Sequence, residues 1–435
     1  MDLQSRKPEH QVPRHPDRVL AIEIEHHGHH PSYVRNFAKT WAEYKIQGEL
    51  KFLVSAQFMQ FHQDEVEFVR SLGECGLSIE QLKCPLPERA GPRKIADYWT
   101  AWNEFCATAK RWRASHGLLM YSDFFQLPVC FGKLSPCPLT AIYFRPTFHY
   151  RELTEYRPTL GAKCKAVRKA WLMKRFLRAP KVARVFSLDQ LAVDYMNTKM
   201  AQGAKVEFLP DAFAQFEHGA QEIDKIRSGL AIEEGRAVLM LVGILDRRKG
   251  VVELLKACGR LPADIAARIC VVLIGRLADD CRPEVLELTA RLGQESAVQV
   301  ILRDQFIPEA DLQVYYNVAD VILATYQKHM GSSSALIRAG LAGKPVLASN
   351  YGLLGELVRR RKLGRVVDAG DSQSLVAGII SSLGDWEGCF DPEKAKQFYQ
   401  ENTPAQLAEC LRRLTTSDPL AKAQPAAGRK VFQHS

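Results

Sequence analysis

The sequence predicts an α/β protein of two doubly wound domains facing a cleft. Three observations carry this reading. Short apolar strands alternate with helical stretches from Val19 onward, the pattern of parallel sheets covered by helices. The alternation stops in a polar stretch, "QFEHGAQEIDKIRSGLAIEEGR" (215–236), and restarts at "AVLMLVG" (237–243). The length, 435 residues, exceeds what one compact core holds.

In the first half, "RVLAIEIE" (18–25) reads as a strand and "YVRNFAKTWAEY" (33–44) as its helix. "KFLVSA" (51–56), "GLLMYSD" (117–123), "TAIYF" (140–144), "ARVFSLD" (183–189) and "AKVEFLPD" (204–211) continue the strand series. In the second half, strands at 237–243, 267–275, 298–304, 321–326 and 345–349 alternate with helices at 250–261, 284–293 and 309–319, with a further helix near 372–383. The implied organisation is a flexible tail (1–16), an N-terminal domain (17–214), a linker (215–236), a C-terminal domain (237–390), a helical segment (391–415) and a second flexible tail (416–435).

Hydrophobic residues make up 46% and charged residues 25%, as in ordinary globular proteins. No run reaches the ~20 uncharged apolar residues of a membrane span. "MDLQSRKPEHQVPRHPD" has no apolar export core. The 11 cysteines are scattered without a C-x-x-C pair, which argues for reduced thiols in a cytoplasmic setting rather than a zinc ribbon or disulfide framework. The +10 formal charge favours an anionic partner: nucleic acid, an anionic membrane surface or a phosphorylated small molecule.

Open parallel sheets bind ligands at the carboxyl ends of their strands. "LVGILDRRKG" (241–250) puts Gly243 at such an end, followed by Arg247, Arg248 and Lys249, cations suited to a diphosphate or, equally, to a solvated basic loop. Gly275 ends the next strand and permits close ligand approach. In "HMGSSSALIRAGLAGKPVLAS" (329–349), Gly331, Ser332, Ser333 and Ser334 open a short helix closing near Gly343. One serine there needs only a capping role, whereas three after a glycine offer N–H groups and hydroxyls to phosphate oxygens.

The order "VG…KG", "LIG", "ADVILATY", a glycine turn, "AGLAGKPVLAS", "GLLGELV" and "LGRVVD" resembles the nucleotide-binding half of retaining family 4 glycosyltransferases (glycosyl transferases group 1), which have the GT-B fold of two Rossmann-like domains. The resemblance covers about residues 237–385, and "EFLPDAF" (207–213) is similar to the segment closing the N-terminal domain in that family. It implies a nucleotide-sugar donor (UDP- or GDP-sugar), no separate cofactor, no metal, a hydroxyl acceptor such as a glycan, glycolipid or lipid-linked sugar, and retention of configuration. Lys249 corresponds to the family lysine on the donor diphosphate. Ile244 stands where the family has an arginine, leaving Arg247 or Arg248 as substitutes. The family's glutamate pair is replaced by Met330 and Arg338, while Gly331 is kept.

Neither replacement can accept hydrogen bonds from sugar hydroxyls. Arg338 lies two helical turns beyond Gly331 and could face the same ligand as a phosphate partner. Met330 is read as packing, and His329 as the polar side chain nearest the sugar. Glu356 matches a family glutamate in the next loop.

In "EIEHHGHHPSYVRNF" (23–37), the loop after the first strand, the resemblance makes Glu25, Gly28, His29 and His30 candidates on the acceptor side, with His29 and His30 beside Lys249 as candidate catalytic groups. The tandem histidines lack the i,i+4 spacing of a helical metal site. Asp123 is a further cleft candidate at a strand terminus.

Residues 163–184, "KCKAVRKAWLMKRFLRAPKVAR", carry nine basic residues and no acid. Ala166, Ala170, Met173 and Leu177 recur at helical spacing, which fits either a helix on anionic lipid or a packed helix with a solvated basic face. Aromatics are not interleaved as in a single-strand binder, so nucleic acid is not expected. The leading expectation is a cytoplasmic glycosyltransferase, peripheral on the membrane face if the lipid reading holds. The alternatives are a noncatalytic GT-B protein binding a sugar nucleotide or a partner, and a basic membrane-surface adaptor.

Overall fold

The computed structural model describes residues 17–84, 86–87, 93–153, 156, 158–200, 206–212 and 218–415. The two expected tails lie outside the described residues. Buried or half-buried runs form β1 (Arg18–Glu23), β2 (Glu49–Val54), β3 (Leu77–Gln81), β4 (His116–Leu119), β5 (Leu139–Ile142), β6 (Val182–Ser187) and β7 (Val206–Phe208). The second series is β8 (Ala237–Val242), β9 (Ile269–Ile274), β10 (Gln299–Arg303), β11 (Val321–Ala324), β12 (Val346–Ser349) and β13 (Gly364–Val367).

They assemble into a seven-stranded sheet, β3-β2-β1-β4-β5-β6-β7, and a six-stranded sheet, β10-β9-β8-β11-β12-β13. Every pairing is parallel. Strand order therefore reverses between β1 and β4 and between β8 and β11. Each reversal sends flanking crossovers to opposite faces and opens a crevice at the carboxyl ends of those strands. One apolar cluster covers each face of the first sheet, and one large cluster surrounds the second. The expected α/β architecture of two Rossmann-like domains is thus present.

Several elements differ from expectation. β3 went unread because "LSIEQ" is only partly buried and alternates weakly. The 117–123 run ends as a strand at Leu119, and the helix Ser122–Phe131 begins inside it, so Asp123 lies in a helical first turn rather than at a strand terminus. The 215–236 stretch contains the helix Ala220–Leu230, whose Leu230 joins the C-terminal core. The helix Pro404–Arg412 returns to the first domain, where Leu407, Ala408 and Leu411 join the cluster containing Phe37 and Trp41. Among the described residues no helix is long and apolar enough to cross a membrane.

Candidate functional site

The crevice between β8 and β11 is built by close backbone approach. Gly243 (φ +109°) and Gly275 (φ +135°) leave their strands in conformations that side chains resist. A Cβ on Gly275 would stand 2.0 Å from the Gly243 carbonyl oxygen, and one on Gly250 would stand 2.2 Å from that of Thr325. The turn after β8 is thereby pressed against the loop after β11, where the Gln327 N–H donates to the Arg248 carbonyl at 2.8 Å.

The basic triplet forms a single 3-10 turn, Arg247–Lys249, capped by the Asp246 carboxylate accepting from the Lys249 N–H at 2.8 Å. That turn splits the three cations. Arg247 turns outward to Glu284 (2.9 Å) and the Asp280 carbonyl, and half-exposed Arg248 pairs with Asp246 (3.4 Å). Lys249 turns inward, donating to the Val242 carbonyl (3.2 Å) and the Tyr326 hydroxyl (2.7 Å), with its ammonium 4.3 Å from the Tyr326 ring centroid. Tyr326 extends the chain to Ser333, its hydroxyl 3.2 Å from the Ser333 Oγ.

Ser333 caps the helix Ser334–Ala342 by accepting from the Ala335 N–H, and Gly343 closes it in the left-handed conformation. Gly331 (φ +127°) has open space where a side chain would begin. His329 bonds through Nε2 to the Ser332 carbonyl (3.1 Å) and stands edge-on to Tyr326. Burial, chiefly, and then nearby Arg248 and Lys249 hold His329 below the usual histidine pKa, although the Ser332 contact opposes them. Lys249, Gly243, Gly275, His329 and the Gly331–Ser334 turn therefore gather around one crevice, with Arg248 at its edge.

Three residues sit otherwise. Arg338 is buried, with one guanidinium nitrogen 3.2 Å from Glu309, because its helix packs against Glu309–Val318. Glu356 lies within the helix Gly352–Arg361 rather than in a loop, its carboxylate 2.6 Å from Arg360 and 3.6 Å from Arg359. Met330 is not packed but 39% exposed. The β8/β11 crevice thus has neither glutamate of the resembled family at these positions.

On the other sheet, the loop after β1 turns at Gly28 (φ +65°). Glu23 ends β1 buried, accepts from the Glu25 N–H (2.9 Å) and pairs with His30 Nδ1 (2.8 Å). His30 stacks on His29 (5.0 Å between centroids) and packs on Tyr121 (4.6 Å). Tyr121 stacks in turn on Phe144 (4.6 Å). Partial desolvation, then His30 and Arg145, lower the His29 pKa to about 4. Asp123 accepts from the Phe144 N–H (3.0 Å), and burial raises its pKa to about 6. Glu25 accepts from the Tyr98 hydroxyl (3.1 Å) and lies 3.6 Å from Arg93. Glu25, Gly28, His29, His30 and Asp123 thus converge at the carboxyl ends of β1, β4 and β5. Among the described residues no group of three or more His, Cys, Asp or Glu is placed to hold a metal ion.

Sequence reading missed Glu23, Tyr121, Phe144, Asp246 and Tyr326. All five end a strand or start the turn after one, so strand ends adjoining the order reversals would have flagged them. Missed too were contacts between residues far apart in sequence, one of them between domains. The Tyr33 hydroxyl donates to Asp211 (2.9 Å), and Tyr150 of the first domain joins the second domain's core, 3.6 Å from a Cβ placed on Gly352.

Residues 222–404 match the family described as glycosyl transferases group 1. The chain is 26% identical over 218 residues to a lipopolysaccharide 1,2-N-acetylglucosaminetransferase of Salmonella typhimurium, covering 48% of this chain and 57% of the relative. It is 30% identical over 204 residues to a D-inositol 3-phosphate glycosyltransferase of Corynebacterium urealyticum, covering 44% and 47%. The chain thus spans about half the length of the curated relatives it matches. Among solved structures, Anabaena HepE in complex with UDP and glucose superposes with a TM-score of 0.58 at 16% identity, covering 91% of this chain and 98% of HepE. At that identity the likeness concerns the fold. Residues 222–404 are thus similar to the glycosyl transferases group 1 family, in a chain whose two Rossmann-like domains have the fold of that solved structure.

Proposed function

We propose that the protein is a metal-independent, retaining glycosyltransferase of the family 4 type, moving a sugar from a UDP- or GDP-linked donor to a hydroxyl acceptor. The observation that carries the reading is the inward-turned Lys249 ammonium, held by Val242 and Tyr326 beside two positive-φ glycines and a helix N-terminus. That arrangement suits the diphosphate of a sugar nucleotide. In the reaction the bond from the sugar C1 to the diphosphate oxygen breaks and the acceptor oxygen forms the new bond to C1, while the acceptor O–H bond breaks and its proton passes to the departing diphosphate. Negative charge grows on the departing diphosphate, where Lys249, with Arg248 at the rim and the N–H groups after Gly331, stabilises it. His29 and His30 face the acceptor side. With its pKa near 4, His29 is neutral at pH 7 and able to accept a hydrogen bond from a hydroxyl.

The acceptor class we propose is a glycan, glycolipid or lipid-linked sugar, met on the cytoplasmic face of a membrane. The test is a thermal-shift series with UDP, GDP and their sugar conjugates, followed by donor turnover against an acceptor panel. Stabilisation by none of these nucleotides in the wild type would overturn the donor assignment.

One observation favours a second reading, a noncatalytic binder of sugar nucleotides. Met330 offers no acceptor, and Arg338 is engaged by Glu309, so neither position supplies the carboxylate that the resembled family places on sugar and ribose. Nucleotide binding without turnover would select this reading.

A further inference from the structure

The helix Leu160–Phe176 has two apolar faces, and the first domain uses only one. Met173 and Phe176 are buried, with Ala166 and Ala170 packed behind them. The 166-170-173-177 stripe, whose spacing fits either a lipid-facing or a packed helix, is thus turned into the domain. On the outer side, Leu160 (80% exposed), Val167 (67%) and Trp171 (59%) follow one another at helical spacing over about 16 Å. Phe131 (49%) and Leu134 (65%), from the end of the neighbouring helix and the loop after it, extend the stripe. The Phe131 and Trp171 rings are stacked at 6.4 Å, and Arg175 lies over the Phe131 ring. Between them opens a recess of about 450 Å³ lined by Val129, Leu134, Trp171, Lys174, Arg175 and Arg178.

Charge identifies what suits this surface. Lys163, Lys165, Arg168, Lys174, Arg175 and Arg178 are all exposed, and no acid occurs between Leu160 and Leu188. Among the described residues none of these six pairs with a carboxylate, whereas Arg18, Arg184, Arg236 and Arg282 elsewhere all do. A solvated basic face needs no stripe of exposed Leu, Val and Trp, and a single-strand nucleic-acid groove would set stacking aromatics along its length. An apolar ridge edged by unpaired cations matches a bilayer interface, with Trp171 and the aliphatic side chains among the acyl chains and Lys and Arg at the headgroup phosphates.

We infer that this ridge is a docking surface for an anionic phospholipid bilayer. The inner side of the same helix touches the acceptor-side loops, since Lys169 Nζ donates to the Arg145 carbonyl at 3.2 Å and Arg145 lies over Tyr121. Docking would therefore present the carboxyl ends of β1, β4 and β5 to an acceptor carried in the same bilayer. That link to the acceptor rests on the proposed transfer reaction, whereas the surface itself does not.

The test is flotation of the full chain with vesicles of phosphatidylcholine alone and of phosphatidylcholine mixed equally with phosphatidylglycerol. Binding to the mixed vesicles, weakened by added salt, is expected. One triple variant, L160S/V167S/W171S, and a second, K174E/R175E/R178E, should each bind them at least about tenfold more weakly. Their thermal shift with UDP, read in parallel, should equal the wild type's and shows that both variants are folded. Failure of the wild type to bind anionic vesicles, or wild-type binding by both variants, overturns the proposal. So does capture of an acidic protein through this face in a chain that ignores vesicles. Vesicle binding in a chain that neither UDP nor GDP stabilises leaves the surface standing and sinks the donor assignment instead.

Discussion

Lys249 donates a 2.7 Å hydrogen bond to the Tyr326 hydroxyl across the crevice where the second sheet reverses its strand order. The two residues come from the turns after β8 and β11, so one contact ties both walls of the proposed diphosphate site. Lys249→Ala should lower donor turnover by roughly 10²–10³-fold, the loss expected when one preorganised charge partner leaves a transition state. Tyr326→Phe keeps the cation and its ring contact and removes the hydroxyl that tethers Lys249 and meets Ser333, so a loss of about tenfold or less is expected. Steady-state release of UDP or GDP from the donor measures both. Equal activity in wild type and Lys249→Ala would remove Lys249 from the mechanism.

Gly275 and Gly331 share positive φ but differ in surroundings. A Cβ at Gly275 would strike the Gly243 carbonyl, whereas at Gly331 nothing lies within 4 Å. Gly331→Ala should cost only the backbone strain, about 1 kcal/mol, while Gly275→Ala adds a steric clash and should cost about 3 kcal/mol or more. Urea unfolding of the two variants checks the order. A smaller cost at Gly275 would show that the β8 and β9 ends can part, which the packed crevice does not allow.

Much of this site is legible in the sequence because it is local. Gly243 and Gly275 directly follow apolar strands, Lys249 and the Gly331–Ser334 turn lie in the loops after such strands, and strand ends are where parallel sheets bind ligands. What the sequence conceals is direction. "RRK" reads as three equivalent cations, yet the Asp246 cap turns Arg247 outward and Lys249 inward. Arg338 has the right spacing to face Gly331, but spacing along a helix does not say what the neighbouring helix brings, and here it brings Glu309. Long-range contacts are hidden for the same reason: nothing near Tyr150 or Leu411 in sequence announces that each packs in the other domain's core.

Arg338 tests that distinction. Its guanidinium is buried beside Glu309, and it lies close enough to Asp211 to oppose the rise that burial imposes on that carboxyl. Arg338→Met should therefore lower stability by about 1–3 kcal/mol, because it removes the cation beside the desolvated Asp211 carboxyl and the ion pair with half-exposed Glu309. UDP affinity of the folded variant should stay within about twofold of wild type, since no phosphate contact is lost. Calorimetric titration with UDP separates the cases: a weakening of tenfold or more with unchanged stability would return Arg338 to the donor site.

His116 gives the chain a pH dependence with a definite sign. Its ring is buried between β1 and β5 on β4, with Nε2 2.8 Å from the Thr140 hydroxyl, and burial lowers its pKa to about 4. The unfolded chain binds a proton here below about pH 6.5, but the folded chain does not until about pH 4. The stability tied to a neutral His116 is therefore complete above pH 6.5 and is lost as pH falls towards 4, at about 1.4 kcal/mol per pH unit. Asp123 acts in the opposite sense, because its pKa is raised to about 6 and its proton stabilises the fold below that value. His116→Gln can keep a hydrogen bond to Thr140 without titrating. It should flatten the decline between pH 6.5 and 4 by about the His116 slope, as measured by urea unfolding across that range. An unchanged slope would mean that His116 is protonated within the fold, with the Thr140 hydroxyl oxygen accepting a hydrogen bond from its Nε2–H.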